Sequence, residues 1–169
     1  ELEPNLSLRD GHCAQGGDHA RKFTVAGVSR IIRAMGVQTA LPYVTRGSRK
    51  LQFDMYRQAS GTLPLVVMLH GGGWISGDRS MYSEEAEWLS GFGFACASID
   101  YRLAPLDPFP AAVADAQAFV RYARAKSGEL DIDPNRIYAF GNSAGGHLAA
   151  MLGLCDKSFD EGEPLERVQ

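Results

Sequence analysis

Ile137-Tyr138-Ala139-Phe140-Gly141-Asn142-Ser143-Ala144-Gly145-Gly146-His147-Leu148 decides how the rest of this sequence is read. A short apolar run leads into Gly141 and a run rich in Ala, Leu and Met leaves after Gly146, so Ser143 falls at a turn from strand to helix. Glycines at 141 and 145 suit a turn so sharp that side chains two positions either side of the serine would strike strand or helix. Such a turn lifts the Ser143 hydroxyl into the open and aims the first amides of the helix at whatever that hydroxyl meets. With 19 glycines in 169 residues, a Gly-x-Ser-x-Gly string arises by chance in about one chain in seven. A second motif therefore has to decide.

Working outward, Asp133-Pro134 turns the chain into Arg136 to Phe140, the strand that delivers the serine turn. Before it, Ala112, Ala116, Phe119, Val120 and Ala123 mark one helical face, stopped at Ser127-Gly128, with Pro110 suited to the first turn. Phe94 to Ile99 and Leu65 to Leu69 are continuous apolar runs of the kind buried on both faces of a sheet. A helix lies between them around Ser83 to Ser90, with Ser83 and Glu87 placed for capping and Gly91 and Gly93 beyond its end. Arg49 to Arg57 alternates Leu51, Phe53 and Met55 against Gln52, Asp54 and Tyr56, a half-buried strand near a sheet edge. Alternating strands and crossover-length helices predict an α/β fold with a mostly parallel sheet covered on both faces.

Residues 1–45 read as a leader followed by a short amphipathic helix over Phe23 to Met35, and residues 46–169 as part of the α/β domain. Asp10, His12, Cys13, Asp18 and His19 fit no common zinc spacing and read as a solvated leader. Hydrophobic residues make up 45% and charged residues 22%, with a net charge of -3 and no basic run interleaved with aromatics. That composition suits a soluble globular domain and excludes nucleic acid as a natural partner. No apolar stretch approaches a membrane span. The chain starts at Glu1, so both a cytoplasmic location and secretion after signal removal stand. Cys13, Cys96 and Cys155 are odd in number and far apart, as ordinary thiols are. Composition carries no signal of oligomeric state.

The deciding second motif is His70-Gly71-Gly72-Gly73-Trp74, directly after the buried run Leu65 to Leu69. Three glycines at the carboxyl end of a strand let backbone amides approach a substrate oxygen. No Lys-Ser/Thr follows them and no Gly-x-Gly-x-x-Gly spacing is present, which removes the phosphate-cradle reading. Together with Asp100-Tyr101-Arg102-Leu103-Ala104-Pro105, Pro108-Phe109-Pro110-Ala111-Ala112 and Gly141 to Leu148, the chain resembles the α/β-hydrolase superfamily. Within it, the likeness is to the hormone-sensitive-lipase-like and feruloyl-esterase-like carboxylesterases.

The resemblance implies Ser143 as nucleophile and the N–H groups of Gly72, Gly73 and Ala144 as an oxyanion hole. His70 and Gly71 would support the glycine loop, and Asp100, Tyr101 and Arg102 would brace loops near the site. It implies a small-molecule ester as substrate, and neither metal nor organic cofactor. Asn142 stands where many relatives carry Asp, and Leu106 replaces an acidic residue, departures that bear on neighbours of the chemistry.

In this superfamily the triad acid and histidine follow the serine on later strands. Here the only histidine after Ser143 is His147, one turn into the helix, where the positive helix end disfavours an imidazolium; packing is its reading. Asp156 and Asp160 come too soon after the turn. The catalytic acid and histidine are thus expected to be absent from these 169 residues, which read as the N-terminal half of an esterase with the C-terminal strands missing and little turnover in isolation. The rivals are a non-catalytic binding module of the same fold and a serine peptidase.

Overall fold

The computed structural model describes residues 35–160, 163, 164, 167 and 168. The expected leader, with Asp10, His12, Cys13, Asp18 and His19, lies outside them. So does the amphipathic helix, apart from Met35 at a bend. Five strands, β1 (Gly36–Arg46), β2 (Arg49–Arg57), β3 (Leu63–Leu69), β4 (Ala95–Ile99) and β5 (Ile132–Gly141), form one sheet in the order β1-β2-β4-β3-β5. Its helices are α1 (Ser83–Ser90), α2 (Ala111–Ala125), the single turn α3 (Ser127–Leu130) and α4 (Ala144–Leu154).

The sheet is mixed: β4, β3 and β5 run parallel, while β1 and β2 are antiparallel additions on the β4 side. The alternation of the strands sorts their side chains onto two faces. Phe53, Leu65, Val67, Leu69 and Ile99 pack with Phe119 and Val120 of α2 and Leu148 and Leu152 of α4. Tyr56, Val66, Met68 and Cys96 take the opposite face, under Tyr82 and Ala86. Phe119 stands edge-on to Phe53 at 5.1 Å and to Tyr43 at 5.2 Å, which locks α2 over the hairpin of β1 and β2. Burial raises the Cys96 thiol to about 12, so it remains protonated.

Four details depart from the sequence reading. Strand β1 places the start of the sheet ahead of the boundary at residue 46. Its alternation is broken by register shifts between Gln38 and Leu41 and between Pro42 and Val44, and Ala40 sits at a left-handed φ of 59°. Strand β2 is buried on both faces in its second half, where Asp54, Tyr56 and Arg57 lie inside. Arg57 is accommodated by donating to the carbonyls of Leu130, at 2.6 Å, and Gly61. Neither Ser83 nor Glu87 caps α1, whose N-cap is Tyr82; the capping side chain is Asp78, which accepts from the Ser80 N–H at the head of a 3-10 turn, Arg79–Tyr82. Finally, Asp133 and Pro134 lie within β5, and α3 occupies Ser127-Gly128, ending at Asp131 in the left-handed region. No helix among the described residues is long and apolar enough to cross a membrane.

Candidate active site

Because β4, β3 and β5 are parallel, their carboxyl ends share one edge, with Leu69 beside both Ile99 and Gly141. Register thus brings together the His70 loop, the Asp100 segment and the serine turn, which are far apart in sequence. At the turn Ser143 has φ 49° and ψ -119°, an unusual backbone for a side-chain-bearing residue, and its side chain is exposed. The glycines are required by close approach. A Cβ on Gly145 would overlap the Leu69 carbonyl oxygen and lie 2.7 Å from that of His70. One on Gly141 would lie 2.5 Å from the Gly145 carbonyl carbon. Helix α4 starts directly at Ala144, with the His147 N–H donating to the Ser143 carbonyl at 3.0 Å.

In the facing loop Gly72 and Gly73 have φ of 115° and 62°, and Trp74 follows at 61°. The Gly72 carbonyl accepts from the N–H groups of Ile75 and Ser76, both at 3.1 Å. No hydrogen bond among the described residues uses the N–H of Gly72, Gly73 or Ala144. Buried His70 holds this loop: Nδ1 donates to the Gly71 carbonyl at 2.8 Å, which fixes the tautomer, and its ring stacks on Tyr101 at 4.1 Å. The Tyr101 hydroxyl donates to the His70 carbonyl at 2.6 Å. Burial lowers the His70 pKa and raises that of Tyr101, so both remain neutral.

The chain from residue 37 to residue 166, more than half of its length, matches the family BD-FAE. It belongs to that α/β-hydrolase family. Among curated proteins, BD-FAE residues here are 41% identical over 91 residues to "Carboxylesterase NlhH" of Mycobacterium tuberculosis, covering 53% of this chain and 28% of that one. They are 40% identical over 119 residues to "Carboxylic ester hydrolase LipN" of the same species, covering 68% and 32%. "Arylesterase" of Saccharolobus solfataricus is 44% identical over 92 residues, covering 53% and 30%. In three dimensions the apo form of Thermogutta terrifontis esterase 2 superposes with a TM-score of 0.73 at 28% identity, covering 79% of this chain and 53% of that one. The chain thus spans about a third of the length of these curated relatives and about half of this solved one.

The remaining motif residues of this BD-FAE chain are tied to distant segments by hydrogen bonds. Asp100 receives the Arg79 N–H at 3.1 Å and its guanidinium at 2.7 Å, and Arg79 also reaches Asp54 at 2.8 Å. Arg102 clamps the fully buried Asp115 of α2 with two side-chain bonds, at 2.7 and 2.8 Å, and its backbone N–H. Asn142 and the Tyr82 hydroxyl bond each other twice: the hydroxyl donates to Oδ1 at 3.0 Å and accepts from the Asn142 N–H at 2.9 Å. Neither Asp115 nor Tyr82 stood out in the sequence. An Asp amid helical alanines and a Tyr ahead of a helix carry no signal until their partners are known.

No hydrogen bond among the described residues joins Ser143 to an imidazole or carboxylate. The His147 ring stands edge-on to Trp74 at 5.4 Å on the exposed side of α4. Asp160 is held by Arg46 and Arg121, and Asp156 by Arg167. Beside the turn lies a cleft of about 390 Å³, lined by Gly73, Trp74, Ala104, Phe109, Val113 and His147 and by the charged side chains of Arg102 and Asp107. The Trp74 carbonyl accepts from the Ala104 N–H at 2.8 Å, which joins the glycine loop to the cleft wall.

Proposed function

We propose that this chain carries the nucleophile and oxyanion hole of a serine carboxylic ester hydrolase. The carrying observation is an exposed Ser143 on a strained turn, faced by a loop whose Gly72 and Gly73 N–H groups, with that of Ala144, are left unused. Ser143 Oγ adds to the ester carbonyl as its proton passes to a histidine base that is not among the described residues. The carbonyl oxygen becomes an oxyanion and accepts from the three amides, each worth roughly a hundredfold or more in rate. Collapse expels the alcohol, which takes the proton back from the imidazolium, and water then cleaves the acyl-serine by the same path reversed. Metal and organic cofactors have no role in these steps. His70 serves as a positioning residue, since both its ring and its carbonyl are committed to the loop. The esterase names of the relatives support ester over amide substrates.

Treating the full-length protein with a fluorophosphonate and mapping the adduct tests this reading. Labelling at Ser143, lost in Ser143→Ala, is the expected result; a folded full-length protein that stays unlabelled there leaves the binding-module reading in its place. Hydrolysis of a peptide amide faster than of a short nitrophenyl ester would make it a peptidase instead.

A further inference from the structure

In the lining of the cleft, Arg102 spends Nε and Nη2 on Asp115 and on the Ala111 carbonyl. Its Nη1 makes no hydrogen bond among the described residues and faces Asp107 Oδ1 across 3.8 Å, too far for a direct bond. Asp107 Oδ2 is taken by Arg49 at 2.8 Å, which leaves Oδ1 open. Both residues line the cleft, together with the apolar side chains of Trp74, Ala104, Phe109 and Val113 and the ring of His147. The lining therefore offers the NH2 group of Nη1 as donor and one carboxylate oxygen as acceptor, spaced so that a single oxygen can bond to both.

We infer that this cleft takes an apolar arm of the ester ending in a hydroxyl group, which accepts from Arg102 Nη1 and donates to Asp107 Oδ1. The charges choose among polar tips. A carboxylate would meet Asp107, an ammonium would meet Arg102, and a methyl would cover a half-buried donor and acceptor with apolar carbon. A neutral hydroxyl has both a lone pair and a proton to give. The clamp on Asp115 keeps the guanidinium from swinging toward Asp107 and closing the gap itself. This inference rests on the esterase reading above and adds the substrate class to it.

The test compares esters of equal length in the full-length protein, following acid release by titration. Methyl 6-hydroxyhexanoate against methyl heptanoate places the hydroxyl on the acyl arm; 6-hydroxyhexyl acetate against heptyl acetate places it on the alcohol arm. One pair should show kcat/KM higher by about tenfold for the hydroxylated member, and which pair does so assigns the arm. In Asp107→Ala that ratio should fall to near one. A variant that is merely poorly folded lowers both members equally and keeps the ratio, so a retained ratio overturns the assignment of Asp107. Equal rates within both pairs in the wild type overturn the inference while leaving the esterase intact. Failure to hydrolyse all four esters overturns the esterase reading itself.

Discussion

Gly145 and Gly73 belong to the two loops that meet at Ser143, and they are glycine for different reasons. Gly145 has an ordinary φ, and its place is crowded by the carbonyls that end β3. Gly73 has open space around it, Ile75 Cγ1 being the nearest atom at 3.9 Å, but its φ of 62° lies in the left-handed region. At Gly145 the constraint is packing of backbone on backbone, and at Gly73 it is conformation, although Gly72 one residue earlier is itself crowded by the Ser76 carbonyl; His70 and Tyr101 prop the loop. Gly145 is held as part of the core; Gly73 has room around it.

Gly145→Ala should show the largest difference. Its methyl cannot be accommodated without separating α4 from β3, so a loss of more than about 3 kcal/mol in urea denaturation is expected. A loss under about 1 kcal/mol would mean that the turn yields as readily as the loop, and the contrast would be gone. Gly73→Ala should cost only about 1 kcal/mol of stability, the strain of a left-handed alanine. The same substitution shifts a donor amide, so fluorophosphonate labelling of the full-length protein should slow by about tenfold or more. Unchanged labelling would remove Gly73 from the oxyanion hole.

The smallest effect concerns the prop of the amide loop. Burial pushes the His70 pKa below its ordinary 6.5, so His70 folds neutral. Above that pH both folded and unfolded chains carry it uncharged and its contribution is complete. As pH falls through 6.5 the unfolded chain takes up a proton that the folded chain resists, and stability declines toward the lowered folded value. His70→Asn keeps an N–H for the Gly71 carbonyl but cannot titrate. Its urea midpoint should therefore change less than that of the wild type between pH 7 and about 5. Parallel slopes would show that His70 is already solvated in the folded state.

The parts of this molecule that are legible in sequence are those where a single residue type states its own constraint. Glycines around Ser143 and the continuous apolar runs of β3 and β4 name their places because nothing else fits there. Strand β1 was hidden because its register shifts and Ala40 interrupt the alternation by which a strand is recognised. Asp115, Tyr82 and Asp107 were hidden for another reason. Each is defined by a partner far along the chain, Arg46 and Arg102 for the first, Asn142 for the second and Arg49 for the third. Arg57 likewise reads as a surface residue until the carbonyls of Gly61 and Leu130 appear around it.

The bond from the Ala104 N–H to the Trp74 carbonyl has a consequence for how such a protein can be altered. It ties the segment that walls the cleft to the segment that carries the amides, so the two cannot be redesigned separately by length. Swapping Phe109 or Val113 for larger or smaller side chains can retune what fits while leaving the backbone where it is. Inserting or deleting a residue between Leu103 and Pro110 would drag the Trp74 carbonyl, and with it the amides of Gly72 and Gly73. The shape of the cleft is open to side-chain exchange and closed to loop grafting.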